Sequence, residues 1–195
     1  MIKWIPGSQS REGQESFVID RLKSKKHGYY VEIGGFDAIE HSNTYLLETQ
    51  YSWSGVSLEI VNYRVEAYNK IRKNPCLLAD ATTYDIRPYF VDNAWPKQRD
   101  YLQVDIEPAY NTLAALMNMP MDYRYSVITF EHDRYVTAEN DKYQQIAYDF
   151  LAANGYRRVA HNVNNLEDWY VDPTVIAPDE LDGILWLEDI FSFIN

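Results

Sequence analysis

Five short apolar runs along the chain each end in a carboxylate, and the first adds two glycines. Residues 31–38 read Val-Glu-Ile-Gly-Gly-Phe-Asp-Ala. Successive glycines let the backbone turn sharply and come close to a ligand, and the amides opening the next helix receive a carboxylate or phosphate. Glu59 follows Gly34 by twenty-five residues, where a dinucleotide or nucleoside fold sets an acid against ribose hydroxyls. The remaining runs close on Asp80-Ala81-Thr82, Asp105-Ile106-Glu107 and Glu131-His132-Asp133. A side chain and backbone at Asp80 and Ala81 suit an adenine edge. Any one of these acids equally suits a helix N-cap, and the glycine pair equally suits a tight turn. Their recurrence at one rim is what points to a site.

Placing five strand ends at one rim requires strands alternating with helices. Tyr29 to Ile33, Gly55 to Glu59, Leu77 to Ala79, Tyr101 to Asp105 and Ser126 to Glu131 have the β-rich character of short strands. Helices are expected over Ser10 to Lys25, His41 to Gln50, Val61 to Lys73, Pro108 to Met117 and Glu139 to Asn154. In the last of these, Tyr143, Ile146, Ala147, Phe150 and Leu151 recur on one helical face, with Gly155 as a stop. Tyr156 to Ala160 and Asp168 to Val171 have no helix between them, so they are expected as an antiparallel pair at a sheet edge. The expected fold is α/β: a Rossmann-like, mostly parallel seven-stranded sheet with that edge pair, and helices on both faces. Ligands in such sheets bind beyond the carboxyl ends of the strands, at the switch in strand order.

The chain has 195 residues, enough for one domain with a sizeable core and too few for two ordinary enzyme domains. A helix over residues 10–26, a ligand-binding core over 27–172 and an apolar tail over 173–195 divide it. Its formal net charge of −11 repels phosphate backbones and anionic lipid, which argues against nucleic-acid or membrane partners. The one cysteine, Cys76, fits a reducing cytoplasm, and neither a signal peptide nor a membrane span is expected. The phosphate loop G-x-x-x-x-G-K-[ST] is absent, and no basic cluster near Gly34 would neutralise a pyrophosphate. An acidic rim of this kind suits a ligand that carries its own positive charge.

Residues 31–38, followed by His41-Ser42-Asn43-Thr44 and Trp53-Ser54-Gly55-Val56-Ser57-Leu58-Glu59, resemble the opening of the FkbM-like class I S-adenosylmethionine-dependent methyltransferases. Residues 100–107, 127–132, Asn154-Gly155-Tyr156 and Asp168-Trp169 continue the resemblance in the family's order, across about residues 27 to 172. The resemblance implies that Gly34 and Gly35 pass under the methionine part of S-adenosylmethionine, with Glu32 organising the turn. It sets Glu59 on the ribose, Asp80 and Ala81 on adenine, and Asp105 near the methionine amino group or the reacting centre. Two residues depart from the family: Ala38 and Pro108 stand where it often has glycine.

Methyl transfer from a sulfonium is an in-line displacement, so the protein must align the reactants, exclude water and help remove the acceptor proton. The expected acceptor is a small hydroxylated molecule such as a sugar. Candidate bases are Asp105, Glu107 and His132, the histidine favoured by its ordinary pKa near neutrality. An oxygen-rich divalent-metal site from Asp105, Glu131, His132 and Asp133 is the less favoured arrangement, because neighbouring residues on a strand point in different directions. No metal is therefore expected. His41-Ser42-Asn43-Thr44 reads as a helix start or as functional hydroxyls. The competing functions are a cofactor-binding or assembly module without catalysis, and an NAD-dependent oxidoreductase weakened by the incomplete glycine pattern. Ile184, Leu185, Trp186, Leu187, Ile190, Phe191 and Ile194 make the tail apolar enough to dock on its own domain or to form a homodimer.

Overall fold

A computed structural model describes residues 4–177; the apolar stretch from Ile184 to Ile194 lies outside them. The described residues build one seven-stranded sheet from β1 (Tyr29–Ile33), β2 (Ser54–Glu59), β3 (Cys76–Leu78), β4 (Gln98–Val104), β5 (Arg124–Glu131), β6 (Arg157–Val163) and β7 (Glu167–Val171). Its order is β3-β2-β1-β4-β5-β7-β6. The first five strands are parallel, and β7 runs antiparallel between β5 and β6. Strand order therefore reverses between β1 and β4, which opens the crevice at their carboxyl ends.

The helices are α1 (Gln14–Arg21), α2 (Tyr45–Tyr51), α3 (Asn62–Ile71), α4 (Arg87–Asp92), α5 (Ala109–Asn118) and α6 (Asp141–Ala153). One apolar layer joins Val31, Ile33, Leu102, Ile128 and Phe130 to Leu113 and Leu116 of α5 and to Ala147 and Leu151 of α6. The opposite layer joins Tyr30, Tyr101, Val127 and Trp169 to Phe17 of α1 and Leu46 of α2, with Val65 and Tyr68 of α3 beside it. Alternation along each strand sends odd and even positions to different layers. Cys76 is a free, buried residue of β3. No helix among the described residues is long and apolar enough to cross a membrane.

Some boundaries differ from expectation, for local reasons. α1 ends at Arg21 rather than Lys25 because Lys23 and Ser24 take left-handed φ values of 52° and 58°. His41, at φ 61°, keeps the segment before Tyr45 out of α2. α4 occupies what reads in sequence as a proline-containing loop; Pro88 sits in its first turn, where its missing N–H costs nothing. β4 begins at Gln98, three residues before the expected Tyr101, because Gln98 and Arg99 pair with Arg124 and Tyr125 of β5.

Candidate functional site

A cleft of about 490 Å³ opens over the carboxyl ends of β1, β2, β4 and β5. Its floor begins at Glu32, buried on β1. Glu32 accepts hydrogen bonds from Thr44 Oγ1 (2.9 Å), Ser57 Oγ (2.5 Å) and Tyr68 OH (3.0 Å). Burial pushes its carboxyl pKa up, while the nearby Arg72 guanidinium and these hydroxyls oppose the shift. Arg72 has no exposed side-chain surface, and its fork reaches Glu48 Oε2 (2.9 Å), Ala38 O (3.0 Å), Tyr30 OH (3.0 Å) and Thr44 Oγ1 (3.0 Å). One guanidinium thus ties the loop after β1 to α2 and α3.

Beyond Glu32 the chain turns. Gly34 has φ +95°, and a Cβ there would lie 1.8 Å from the Asp105 carbonyl oxygen. Only glycine allows β1 to leave the sheet this close to β4. Gly35 has room by comparison: its added Cβ would meet Cys76 Sγ at 3.1 Å. Both amides donate to Leu58 O. Glu59, at the end of β2, accepts from Phe36 N–H (3.1 Å) and Val61 N–H (2.8 Å), one amide per oxygen. Each oxygen keeps a further lone pair for a ligand hydroxyl. Ile60 and Phe36 flank Glu59 with exposed apolar surface, and Arg64 stacks over the Phe36 ring at 4.3 Å.

The other half of the cleft is a row of acids. Glu32 pairs in register with Gln103, Gln103 with Thr129, and Thr129 with Trp169. Two residues further up on the same face stand Gly34, Asp105, Glu131 and Glu167, and Glu131 pairs directly with Glu167. The Asp105 and Glu131 carboxyls stand next to each other at the ends of neighbouring strands, each within reach of the other's charge. Burial and neighbouring carboxyls push Asp105 up to about 6. Glu131 is raised further, first by burial and then by the Asp105 charge, so the pair retains a proton at neutral pH. Burial also raises Glu167, whose Oε1 accepts from Gln14 Nε2 at 2.6 Å. Two buried cleft atoms have no hydrogen-bond partner: Asn43 Oδ1 and Gln103 Oε1. The unmet atoms and the acids are all acceptors, so this cleft fits a ligand that brings donors and positive charge.

Of the residues singled out in sequence, Glu32, Gly34, Gly35, Glu59, Asp105 and Glu107 all line this cleft. Asp80, Ala81 and His132 do not. Asp80 is exposed and turns its Oδ1 onto Thr82 N (2.9 Å) and Thr82 Oγ1 (2.6 Å), while Ala81 packs in the core and its carbonyl accepts from Asn118. His132 follows Glu131 and so faces the other side of the sheet. There it is fully buried, its Nδ1 accepting from Arg134 N–H (3.3 Å) and its Nε2 lying 3.1 Å from Gln144 Nε2 and 3.6 Å from Asp168 Oδ1. The same alternation separates His132 from Glu131 as metal ligands, and no group of three or more metal-binding side chains occurs among the described residues.

Glu167, Gln103 and Asn43 are among the cleft residues that sequence reading did not assign to the site. Glu167 is the first residue of an antiparallel strand, which lands at the rim where the parallel strands end. Gln103 stands two residues before Asp105 and shares its face, a signal that alternation alone provides. Asn43 lies in the Ser-Asn-Thr run, where Ser42 Oγ accepts from Tyr45 N–H at the start of α2 and Thr44 supports Glu32. That run therefore both starts a helix and places polar groups in the cleft.

No family model matches the sequence, and no curated protein does. Among solved structures, the fold matches a candidate rRNA-methylase from Clostridium thermocellum at TM-score 0.56 and 10% identity, covering 86% of this chain and 97% of that one. The N-methyltransferase NodS from Bradyrhizobium japonicum WM9 matches at TM-score 0.53 and 12% identity, over 84% of this chain and 96% of that one. A chain of a fibrillarin/Nop5p complex matches at 0.53 and 15%, over 86% and 82%. With its seven-stranded order, its antiparallel β7 and these neighbours, the chain has the class I methyltransferase fold.

Proposed function

We propose that this chain is an S-adenosylmethionine-dependent methyltransferase that methylates an oxygen of a small hydroxylated acceptor such as a sugar. The observation that carries the reading is the two-sided cleft at the switch point, with a glycine turn and Glu59 on one side and an acid row on the other. The FkbM-like motifs support oxygen as the accepting atom, and the solved N-methyltransferase and rRNA-methylase neighbours share the fold at identities that leave the acceptor open.

The residues present fit the cofactor. Glu59 has lone pairs free for the ribose hydroxyls, Ile60 and Phe36 offer apolar walls to a flat base, and the unpartnered Asn43 Oδ1 suits the amino end. Bound there, S-adenosylmethionine supplies an electrophilic methyl group on a sulfonium. Gly34 and Gly35 hold the turn that lets the ligand approach, and the acid row favours its positive charge. Asp105, pushed up to about 6, is ionised above that pH and takes the hydroxyl proton, with the Glu131 carboxyl beside it. Glu107, exposed at the cleft edge, is a second carboxylate within the acceptor half.

Calorimetric titration with S-adenosylmethionine and with NAD tests this. Binding of the first only, weakened at least tenfold in Glu59→Ala, is the expected result. NAD binding, or a Glu59→Ala affinity equal to the parent's, overturns the assignment.

A further inference from the structure

Asp105, Glu131 and Glu167 stand side by side on one sheet face, from β4, β5 and β7, and Glu131 and Glu167 are direct cross-strand partners. Like charges set opposite each other are unfavourable, and folds keep such arrangements chiefly where function needs them. Among the described residues no Lys, Arg or His forms an ion pair with any of the three. Gln14 supplies a neutral donor to Glu167 and leaves the charge uncompensated. Directly below, Gln103 is only 3% exposed, lines the cleft and leaves Oε1 without a partner. Charge and hydrogen-bonding demand coincide: these carboxyls, when ionised, and the Gln103 carbonyl together suit a cation that donates several hydrogen bonds.

Adjacent strands lie about 5 Å apart, so with strand order β4-β5-β7, Glu131 sits about 5 Å and Glu167 about 10 Å beyond Asp105, away from Glu59. The cofactor's own amino group, placed at the β1–β4 junction, does not extend across that span. A second cation belongs there.

Resting on the methyltransferase reading, we propose that the acceptor is an amine-bearing polyol, an amino sugar in the simplest case, and that Glu131, Glu167 and the Gln103 carbonyl form the subsite for its ammonium group. The ammonium gives one N–H to Gln103 Oε1, which has no partner, and the others to carboxyl oxygens of Glu131 and Glu167, replacing the protons these acids otherwise retain beside Asp105, Asp133 and Glu12. Its proton stays on nitrogen, so the nucleophile remains a neighbouring hydroxyl and Asp105 remains free to take that hydroxyl's proton. Amine binding must then release protons from the acid row.

Calorimetry on the full chain, with and without saturating S-adenosylhomocysteine, tests this using matched pairs: glucosamine against glucose, galactosamine against galactose, and glucamine against sorbitol. The amine member of each pair is expected to bind at least tenfold more tightly, with heats that change between buffers of different ionisation enthalpy as protons are released. In the Glu131→Gln, Glu167→Gln double variant the preference should vanish while S-adenosylhomocysteine still binds, which serves as the control for folding. Equal affinities within the pairs, no binding of any amine, or a preference that survives in the double variant overturns the subsite. Magnesium that binds alone and competes with the amines also overturns it. If S-adenosylhomocysteine gives no heat while the amines bind selectively, the cofactor reading falls and the amine subsite stands.

Discussion

Gly34 and Gly35 are neighbours in sequence with different tolerances. A methyl at Gly34 would meet the Asp105 carbonyl at 1.8 Å from a backbone already at φ +95°, and neither β1 nor β4 can yield without breaking the sheet. Gly34→Ala should destabilise the fold by at least about 3 kcal/mol and abolish cofactor binding. Gly35→Ala should cost about 1 kcal/mol or less, since the contact is a sulfur at 3.1 Å. Urea unfolding of the two variants checks the contrast. Asp105 adds a pH dependence with opposite signs for stability and activity. Its carboxyl is pushed up to about 6, above the ordinary value near 4, so the folded state binds more protons than the unfolded one between those pH values. Stability therefore falls as pH rises through that window and stays lower above it. Asp105→Asn should accordingly raise stability at pH 7 by about 1 to 2 kcal/mol and lower kcat at least about 100-fold. The parent's rate should climb through pH 6, and a His132→Gln variant should keep that profile, because the imidazole faces α6. Stopped-time assays across pH 5 to 8 at saturating cofactor measure both.

At the scale of elements, the cleft depends on a single buried cation. Arg72 joins α3 to Glu48 of α2, to the Ala38 carbonyl and to the Thr44 hydroxyl that holds Glu32. Arg72→Ala removes the one guanidinium facing two buried carboxylates and should cost about 3 to 5 kcal/mol. Arg72→Lys should recover only part of this, because an ammonium cannot reproduce the fork. Hydrogen exchange should show Ser42 to Tyr45 losing protection in both variants ahead of the sheet. This network was invisible in sequence, since Glu32, Glu48, Tyr68 and Arg72 share no spacing and meet only after α2 and α3 pack on β1 and β2. The strands themselves were legible because each apolar run carries its own period, and the parallel rim followed from their alternation with helices. The acids at parallel strand ends were legible for the same reason. The facing of each group was not: His132 was the favoured base and Glu131 only a less favoured metal ligand, whereas the pleat sends Glu131 into the cleft and His132 under α6. Glu167 was hidden by chain direction, since an antiparallel strand brings its beginning, and not its end, to the rim. Asp80 looked like the other rim acids, but it turns back on Thr82, a local hydrogen-bonding choice that a strand pattern does not reveal.

For the whole molecule, the formal net charge of −11 and the lining of the cleft act in the same direction. Among the described residues, nine carboxyl groups and two guanidinium groups line it, so field lines are focused where a cationic ligand must enter. The same field opposes polyanions. A candidate rRNA-methylase is among the proteins that share the fold, so fold alone does not separate a small cationic ligand from RNA. Charge does separate them, and salt is the variable that reads it. Debye screening shortens from roughly 14 Å to about 4 Å between 50 and 500 mM salt. Association of S-adenosylmethionine should slow several-fold over that range, because attraction toward the acids is progressively lost. A labelled RNA hairpin should show no binding tighter than about 10 μM at 50 mM salt, where phosphate contacts are strongest. Stopped-flow tryptophan fluorescence gives the first result and fluorescence anisotropy the second. Micromolar RNA affinity that weakens steeply with salt would mean that a basic surface outside the cleft overrides the net charge, and the acceptor would then have to be sought among nucleic acids.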